Sequence, residues 1–386
     1  LISMKSDKTT PNVPTLRFPN YNGEWQKTVM GKVCSFRKGY GIAKDDLSSD
    51  GTPCILYGEL YTTYKTAIAK TIKSKTSLQS KSLVYSQKDD VIIPCSGETA
   101  EDIATSICVP YDGILLGGDL TIVHSDLDGA FLSNQINSVR KYDIARIAQG
   151  KSIVHLQADE LKKIFIFYPS IQEQRKISAF IDKIDERIEI QNKIIEDLKV
   201  LKKELCKVIL NNKGWPKFRI RDIANLGRGR VINTDEINSQ HSPLYPVYSS
   251  QTSNNGIMGY LDQYDFEGEY ITWTTDGANA GTVFYRNGRF NCTNVCGTLK
   301  LTVDFDYYIT ALSIQMVTEK YVSKNLANPK LMNNVMAEIE IFMPDFQTQK
   351  SLSSLFMSLD KKIESAGELL SCFVSEKKFL LNAMFI

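Results

Sequence analysis

The sequence predicts an α+β protein made by tandem duplication, in which each half is a globular module followed by one long helix. Three observations support this fold class. Residues 172–210 carry an apolar seam with helical spacing, the same seam recurs 175 residues later, and both stretches are free of proline. Short β-rich runs separated by turn residues occupy the region before each seam, which indicates a mostly antiparallel sheet in each module.

The seam positions advance by alternate steps of four and three, which places them along one side of a helix. In the first copy they are Ile177, Ile181, Ile184, Ile188, Gln191, Ile195, Leu198, Lys202, Leu205 and Ile209. In the second copy they are Leu352, Phe356, Leu359, Ile363, Ala366, Leu370, Phe373, Lys377, Leu380 and Met384. Even the lysine that interrupts the seam is repeated, so the match is a duplication and not a coincidence.

Each predicted helix is long enough to act as a spacer. At about 1.5 Å per residue, the first would extend for roughly 55–60 Å. A homodimeric coiled coil is the commonest use of such a pattern, but this chain already contains two matching helices. We therefore expect the two helices to pair with each other as an antiparallel coiled coil, which gives the chain pseudo-two-fold symmetry.

The module frames also repeat, but with another offset. Trp25 and Trp215 are 190 residues apart, and Gly39 and Gly229 keep that spacing. Because the helices are offset by 175, the intervening insert is shorter in the second copy, which suggests two recognition modules that read different things. The predicted domains are a disordered leader (1–14), a first module (15–169), a first helix (170–212), a second module (213–344) and a second helix (345–386).

The composition favours a cytoplasmic protein without a membrane span. Charged residues make up 23% and hydrophobic residues 42% of the chain, as in ordinary globular proteins. A continuous run of about 18 apolar residues, which a membrane helix needs, does not occur in the sequence. The eight cysteines do not form close CxxC pairs, which fits reduced thiols in the cytosol.

Residues 60–88 of the first module contain lysine, tyrosine and hydroxyl residues but no acidic residue. Lysines neutralise phosphates, and hydroxyl groups donate to phosphates or to base edges. A solvated polar loop is the alternative, but an acid-free run of this length favours contact with nucleic acid. The candidate DNA-binding residues of this module are Tyr61, Tyr64, Lys65, Lys70, Lys73, Lys75 and Ser96.

Residues 277–303 of the second module are also free of acidic residues. Asparagine is suited to bidentate contact with adenine, and arginine to contact with guanine. Each of these residues taken alone is more often a turn former or a surface charge, since Asn287-Gly288 also predicts a hairpin. The candidate DNA-binding residues here are Arg228, Arg230, Thr275, Asn279, Arg286, Arg289 and Asn294.

The sequence does not contain a recognisable catalytic constellation. The two Gly-x-Gly pairs lack the third glycine of a dinucleotide fingerprint, and a Walker motif and the tetrad of amino-methyltransferases are missing. The three histidines are scattered, so we expect neither catalytic residues nor a metal site. Cys292 and Cys296 share strand parity, which favours packing in a core over zinc binding.

Together these features resemble the DNA-specificity (S) subunit of Type I restriction–modification systems. The helix start Gln172, Glu173, Gln174 and Arg175 after Pro169, with its copy after Pro344, is typical of that family. The module starts around Trp25 and Trp215 are typical too, as are residues 56–61 and 271–281. The resemblance extends from about residue 16 to the end of the chain.

The resemblance implies a subunit without catalytic activity of its own. Two target-recognition domains would each read one half of a split, asymmetric site in double-stranded DNA, and the paired helices would fix the unread spacer. Two methyltransferase (modification) subunits with S-adenosylmethionine and restriction/translocase subunits with ATP and Mg would complete the complex. The family's subunit-contact and spacer helices correspond to the seam residues Ile177, Ile181, Ile184, Ile188, Leu198, Leu352, Phe356, Leu359, Ile363 and Leu370.

Two other functions remain open from the residues alone. The alternatives to a specificity subunit are a coiled-coil adaptor with two protein-binding modules and a stand-alone DNA-modifying enzyme. Strong salt dependence of DNA affinity argues against the adaptor, because phosphate contacts release counterions. Binding of S-adenosylmethionine or ATP to the isolated chain would favour the enzyme.

Overall fold

A computed structural model describes residues 12–148, 150, 154–323 and 328–386. The chain divides into two compact units. Unit 1 comprises the chain up to Asn192 together with Leu369–Ile386, and unit 2 comprises Lys193–Glu368. Most of the predicted leader lies outside the described residues. The described end of the leader is hydrogen-bonded to the module, because the backbone N–H of Trp25 donates to the carbonyl of Asn12 at 2.6 Å.

Unit 1 contains eleven strands among its described residues and most of its helices are short. The strands are β1 Gln26–Val29, β2 Cys34–Lys38, β3 Leu47–Ile55, β4 Ser74–Thr76, β5 Asp90–Pro94, β6 Ser96–Gly97, β7 Ile107–Val109, β8 Leu115–Leu116, β9 Leu120–Ser125, β10 Val154–His155 and β11 Phe165–Tyr168. The helices are α1 Met30–Val33, α2 Glu59–Thr62, α3 Ala100–Ile103, α4 Gly129–Asn137, α5 Lys141–Ile147, α6 Ala158–Leu161 and the first part of α7 Ile171–Ile209.

Unit 2 repeats this plan with fewer elements between its frame strands. Its strands are β12 Lys217–Arg219, β13 Ala224–Arg228, β14 Tyr245–Tyr248, β15 Ile257–Leu261, β16 Phe266–Glu267, β17 Tyr270–Thr274, β18 Val283–Arg286, β19 Arg289–Cys292, β20 Cys296–Leu301 and β21 Glu340–Phe342. Its helices are α8 Ile220–Ile223, α9 Thr234–Asn238, α10 Tyr307–Thr318, α11 Asn333–Ala337, the rest of α7 and the first part of α12 Phe346–Met384.

The main sheets of the two units have the same topology. Their strand orders are β2-β9-β5-β7 and β13-β20-β17-β18, and every neighbouring pair is antiparallel. The entry into each sheet also matches, because α1 and β2 recur as α8 and β13 at the offset of 190 that the tryptophans predicted. The duplication of the module frame is therefore confirmed.

A glycine follows the first main-sheet strand at the equivalent position of both units, where two backbones pass close together. A Cβ atom on Gly39 would lie 1.9 Å from the carbonyl oxygen of Gly117, and a Cβ atom on Gly229 would lie 2.2 Å from that of Cys292. In both units the chain leaving the first main-sheet strand passes directly against another backbone. A residue without a side chain is required at that crossing in each copy.

The second sheets of the two units differ. Unit 1 has a three-stranded sheet, β4-β3-β8, whereas unit 2 has a four-stranded sheet, β15-β14-β19-β16. Each contains one parallel pair, β3 with β8 and β14 with β19. The two inserts therefore share one parallel strand pair but differ in the rest of the sheet. This difference agrees with the unequal sequence offsets of the module starts and the long helices.

Each module is attached to its long helix by the same hydrogen-bonded link. The side chain of Gln174 accepts from the Asp128 N–H at 3.0 Å and donates to the carbonyl of Pro169 at 2.8 Å. In unit 2, Gln349 accepts from the Asp306 N–H at 2.9 Å in the same manner. Both aspartates also cap the helix that follows them, α4 and α10. One glutamine therefore fixes a long helix to a capped helix of its module.

The predicted seam is the buried side of both long helices. In unit 1, Ile177, Ile181 and Ile184 of α7 pack in one cluster with Leu380 and Met384 of α12. In unit 2, the later part of α7 shares a core with the early part of α12. The start of each helix thus lies beside the end of the other, and the predicted antiparallel pairing is confirmed. Every seam position named above is buried or half-buried.

The apolar end of α12 packs against the first module. Leu380, Met384 and Phe385 belong to a cluster with Trp25 and Phe131. The three aromatic rings contact one another, with centroid distances of 5.6 Å for Trp25–Phe131, 5.1 Å for Phe131–Phe385 and 6.5 Å for Trp25–Phe385. The apolar end of α12 is therefore buried against the first module.

The seam lysines form two equivalent ion pairs across the helix pair. Lys377 lies 2.5 Å from Asp185 in unit 1, and Lys202 lies 2.5 Å from Asp360 in unit 2. The two lysines and the two aspartates are each related by the helix offset of 175 residues. Because each pair forms only when the helices are antiparallel and in this register, the pairs specify the register as well as join the helices.

Removing Lys377 should destabilise unit 1 more than the equivalent change destabilises unit 2. The Asp185 side chain is only 7% exposed, whereas that of Asp360 is 42% exposed. Lys377→Ala leaves a buried carboxylate without its partner, and we expect a loss of about 2–4 kcal/mol. Lys202→Ala serves as the matched control, with a smaller loss because water solvates Asp360.

The measurement is urea unfolding of both variants and of the double variant Lys377→Met/Asp185→Leu. Apolar residues of similar volume replace a buried ion pair at little cost, so the double variant should recover most of the lost stability. Equal losses for the two lysine variants would show that the burial of the aspartate does not determine the cost.

Candidate nucleic-acid interface

The acid-free stretch of unit 1 folds as α2, a connecting segment and β4, which pairs with β3. Lys65, Lys73 and Lys75 are exposed, so their ammonium groups are available for phosphate contact. Tyr61 is half-buried, whereas Tyr64 is buried in the core cluster beneath α2. Burial raises the pKa of the Tyr64 hydroxyl to about 12.

Lys70 is placed differently from the other lysines of this stretch. Its ammonium group lies 2.6 Å from Asp182 and 3.0 Å from Glu186, both on α7. The side-chain hydrogen bonds to these two carboxylates raise its pKa against the opposing effect of burial. Lys70 therefore fastens the insert to the long helix, and its charge is already neutralised.

A groove of about 650 Å³ lies beside α2. Its rim carries the lysine Lys44, the hydroxyl groups of Thr62 and Thr63, and the rings of Tyr57 and Tyr61. Such a surface offers a positive charge, short donors and aromatic faces, the groups that proteins use to hold nucleic acid. The sequence analysis missed Lys44 and Tyr57, because both precede the acid-free stretch.

Ser96 lies in a second pocket of unit 1, of about 640 Å³. Its hydroxyl oxygen is 3.2 Å from Nδ1 of His155. Arg37, Lys38 and Lys162 also line this pocket. Two carboxylates, Asp119 and Asp159, also line it, and Asp159 pairs with Lys162 at 2.8 Å. Arg37 is bound to the buried carboxylate of Asp90 at 2.7 Å.

In unit 2, three of the predicted residues meet at one end of the main sheet. Arg228 is exposed at the end of β13 and donates to the buried hydroxyl of Thr275 at 2.8 Å. The Thr275 N–H donates to the carbonyl of Val295, which follows the exposed Asn294 in the turn between β19 and β20. Thr275 thus supports a small surface that presents Arg228 and Asn294.

Asn279 lies in the turn that follows β17. Its side-chain amide donates to the carbonyl of Ser250 at 3.4 Å, so it connects the turn to the insert. The backbone carbonyl of Asn279 accepts from the hydroxyl of Thr282 at 2.9 Å. The residue is half-buried, and part of its capacity for hydrogen bonding is used within the module.

Arg230 and Arg289 are exposed but paired. Arg230 lies 2.6 Å from Glu236 and 3.0 Å from Asp265, and these contacts raise its pKa. Arg289 lies 2.8 Å from Glu267. Surface pairs of this kind exchange readily with other partners, since they contribute little to stability.

Arg286 is buried, at 3% exposure, instead of lying on the surface as the sequence suggested. Its guanidinium carbon lies 3.5 Å from the ring centroid of Tyr248 and 4.3 Å from that of Phe284. Its Nε donates to Thr272 at 3.3 Å. Burial lowers its pKa. Arg286 therefore stacks against aromatic rings inside unit 2, which differs from the surface position that the sequence suggested.

Cys292 and Cys296 pack in an apolar cluster with Phe290, as their strand parity predicted. The Cys292 thiol hydrogen-bonds to Cys296, which raises the pKa of Cys292 and lowers that of Cys296. The residues that the structure describes contain no group of three or more side chains suited to binding a metal ion. Within the same residues, no helix is long and apolar enough to cross a membrane.

The fold and this surface define a tandem pair of related recognition modules on paired helices. Residues 22–200 and 212–370 match the family described as the Type I restriction modification DNA specificity domain. The matched regions make up most of the chain, and the chain belongs to this family. It is the specificity subunit of a type I restriction–modification system, the subunit that recognises DNA, and the catalytic activities of such systems reside in other subunits.

Relatives from Mycoplasma pneumoniae support the assignment. The N-terminal part of a putative type I specificity subunit is 45% identical over 144 residues, 37% of this chain and 75% of the relative. Another putative type I specificity subunit is 31% identical over 237 residues, 60% of this chain and 88% of the relative. The specificity subunit of the type I restriction enzyme MpnII is 37% identical over 151 residues, 39% of this chain and 45% of the relative.

A solved structure shares the fold over nearly the whole chain. The S subunit of a type I restriction–modification system from M. genitalium superposes with a TM-score of 0.65 at 17% sequence identity. The match covers 97% of this chain and 99% of that chain. The duplicated arrangement of modules and long helices is therefore a shared architecture.

Replacing Arg286 should test whether its role is structural. Arg286→Ala removes two ring contacts and leaves a cavity, so we expect unit 2 to lose about 2–4 kcal/mol of stability. Arg289→Ala, on the same hairpin but exposed, is the matched control and should leave the melting temperature almost unchanged. Calorimetric unfolding of both variants measures the difference. A fully stable Arg286→Ala variant would instead favour the original surface assignment.

Proposed function

We propose that this chain reads a bipartite, asymmetric site in double-stranded DNA, with one half-site for each unit. The observation that supports this most strongly is the repeated main sheet with unlike second sheets. A common frame presents each module in the same way, whereas different inserts provide different contacts. A duplicated chain that read the same sequence twice would not need its inserts to diverge.

The proposed contacts divide into two kinds. Lys65, Lys73 and Lys75 contact phosphates, which sets affinity but not sequence. Arg228 and Asn294 read base edges, because arginine matches guanine and asparagine matches adenine in the major groove. The remaining predicted readers are Tyr61, Ser96, Asn279, Arg230 and Arg289. Tyr64, Thr275 and Arg286 support the modules from within, and Lys70 joins its insert to α7.

The paired helices are proposed to act as a ruler that fixes the unread spacer between the half-sites. Each helix is continuous from one unit into the other, over 39 residues. Proline is absent from both, and the two ion pairs oppose sliding of one helix along the other. A change in helix length would then change the spacer and leave both half-sites as they are.

The proposed partners follow from the family. Two modification subunits, which bind S-adenosylmethionine and methylate adenine, dock on the duplicated scaffold. Restriction subunits, with ATP- and Mg-dependent translocation and cleavage, join this core. This function places the chain in the cytoplasm with the chromosomal DNA.

Two sets of variants should separate the two kinds of contact. Asn294→Ala should relax the methylated motif at one half-site only, because a base contact specifies one position. Lys73→Ala/Lys75→Ala should weaken binding to all sequences and reduce the salt slope by about 2. Methylation mapping of the assembled complex measures the first effect, and titration of DNA at several salt concentrations measures the second.

The control for the lysine pair is the variant Lys361→Ala/Lys362→Ala, which alters the net charge by the same amount. Both lysines are exposed and adjacent on α12. We expect an unchanged salt slope for this control. If Asn294→Ala leaves the methylated motif unaltered and Lys73→Ala/Lys75→Ala leaves the salt slope unaltered, these residues do not contact DNA.

A further inference from the structure

Each unit contains a basic pocket at the same place in its frame. The pocket of unit 1 has a volume of about 420 Å³ and is lined by Lys27, Arg140, Arg146 and Lys163 with one acidic residue, Asp143. The pocket of unit 2 has a volume of about 290 Å³. It is lined by four lysines and one acidic residue: Lys207, Lys213, Lys217, Lys320 and Glu340.

The two pockets are built on duplicated positions. Lys27 and Lys217 are separated by the module offset of 190, and Phe167 and Phe342 by the helix offset of 175. Lys27 is the cross-strand partner of Phe167, and Lys217 is that of Phe342. The same two-stranded ribbon thus forms one wall of each pocket. Both pockets belong to the repeated frame and neither belongs to the divergent inserts.

The lining of each pocket also includes a residue with a hydrogen-bond donor that is buried beneath the surface and is not satisfied by any described residue. In unit 1 the donor is Nε of Arg140, and in unit 2 it is the hydroxyl of Ser313. Aligning α4 and α10 on their capping aspartates places Ser313 at the position of Gln135. Gln135 reaches the backbone of Phe167, whereas the shorter serine leaves its donor without an acceptor.

The basic groups of the pockets are of two kinds. Four of the eight are already paired with carboxylates: Arg140 with Asp143, Lys163 with Glu160, Lys207 with Glu204 and Lys217 with Glu340. Lys27 lies over the rings of Phe165 and Phe167, 4.9 and 5.4 Å from their centroids. Among the described side chains, Lys27 and Arg146 have no carboxylate within ion-pair distance, and the same holds for Lys213 and Lys320. Unpaired cations beside apolar side chains together select an anionic group that carries apolar neighbours.

We propose that each pocket binds an acidic segment of one modification subunit. The specificity subunit would then bind the same segment at two equivalent sites, one in each unit. This proposal rests on the proposed function, which supplies a partner in two copies. A partner that is the same on both sides needs a site in the repeated frame, whereas DNA sequence must be read by the inserts. A few residues that fill desolvated pockets, ringed by contacts that exclude water, carry most of the affinity of a protein interface.

A phosphate of DNA fits these pockets less well. Phosphate contacts come mainly from protruding side chains and backbone N–H groups, and they remain hydrated. The pockets instead include aromatic and other apolar side chains in their lining, such as Phe167, Ile147, Phe342 and Met316. A carboxylate on a peptide segment brings the apolar surface that such a lining requires.

The test is the stoichiometry of the complex of the full chain with its co-expressed modification subunit, measured by native mass spectrometry without DNA. The unmodified chain should bind two copies. Lys27→Glu/Arg146→Glu should remove one copy, Lys213→Glu/Lys320→Glu the other, and the fourfold variant both. Each reversed charge should weaken its anchor more than about tenfold. The neutral variant Lys27→Gln/Arg146→Gln should show a smaller loss.

The matched control is Lys81→Glu/Lys88→Glu, which makes the same charge change on exposed lysines outside both pockets. It should keep two copies. Folding of every variant is checked by thermal unfolding. If the pocket variants keep two copies at unchanged affinity, the proposal is overturned, as it is if they lose DNA affinity alone. If the unmodified chain binds no modification subunit, the proposed function itself fails, which is a distinguishable result.

Discussion

The antiparallel seam between α7 and α12 is the interaction on which the rest of the structure depends. Within each unit, the start of one long helix packs beside the end of the other, and the module is attached to that pair. The apolar side chains provide the attraction, but apolar side chains alone tolerate sliding by one heptad. The ion pairs of Lys202 with Asp360 and Lys377 with Asp185 oppose that sliding, because a shifted helix would separate both pairs and leave Asp185 buried without its partner.

The attachment of the modules follows from the same constraint. The helix start is not a free spacer, since Gln174 and Gln349 bind the capping aspartates of α4 and α10. The same hydrogen-bonded link occurs in each unit, so each main sheet is oriented on its long helix by the same chemistry. The inserts are left free to change, as the unlike second sheets show. A recognition surface can therefore diverge without disturbing the scaffold that carries it.

Much of the fold could be predicted because its signals are local or periodic. The seam is visible as steps of three and four residues, and the frame is visible as a constant offset between two tryptophans. The antiparallel pairing follows from the presence of two matching seams in one chain. These features depend on residue type and spacing, which the sequence states directly.

The interface was harder to predict because exposure and charge pairing depend on distant residues. The sequence around Lys70 predicts a phosphate contact. In the structure, Lys70 instead pairs with Asp182 and Glu186, which lie more than 100 positions away in the sequence. Arg286 lies in an acid-free stretch, but Tyr248 from another sheet covers its guanidinium group. The basic pockets were missed for the same reason, since Lys27, Arg140 and Lys163 come together only in the folded chain.

The central claim is that this chain chooses the DNA sequence for a methyltransferase. The most direct test is a genome-wide map of N6-methyladenine in cells that express the modification subunits, with and without the gene for this chain. The account predicts one split motif, two half-sites with a fixed spacer, that is methylated only when the chain is present. An identical set of methylated motifs in both cultures would contradict it.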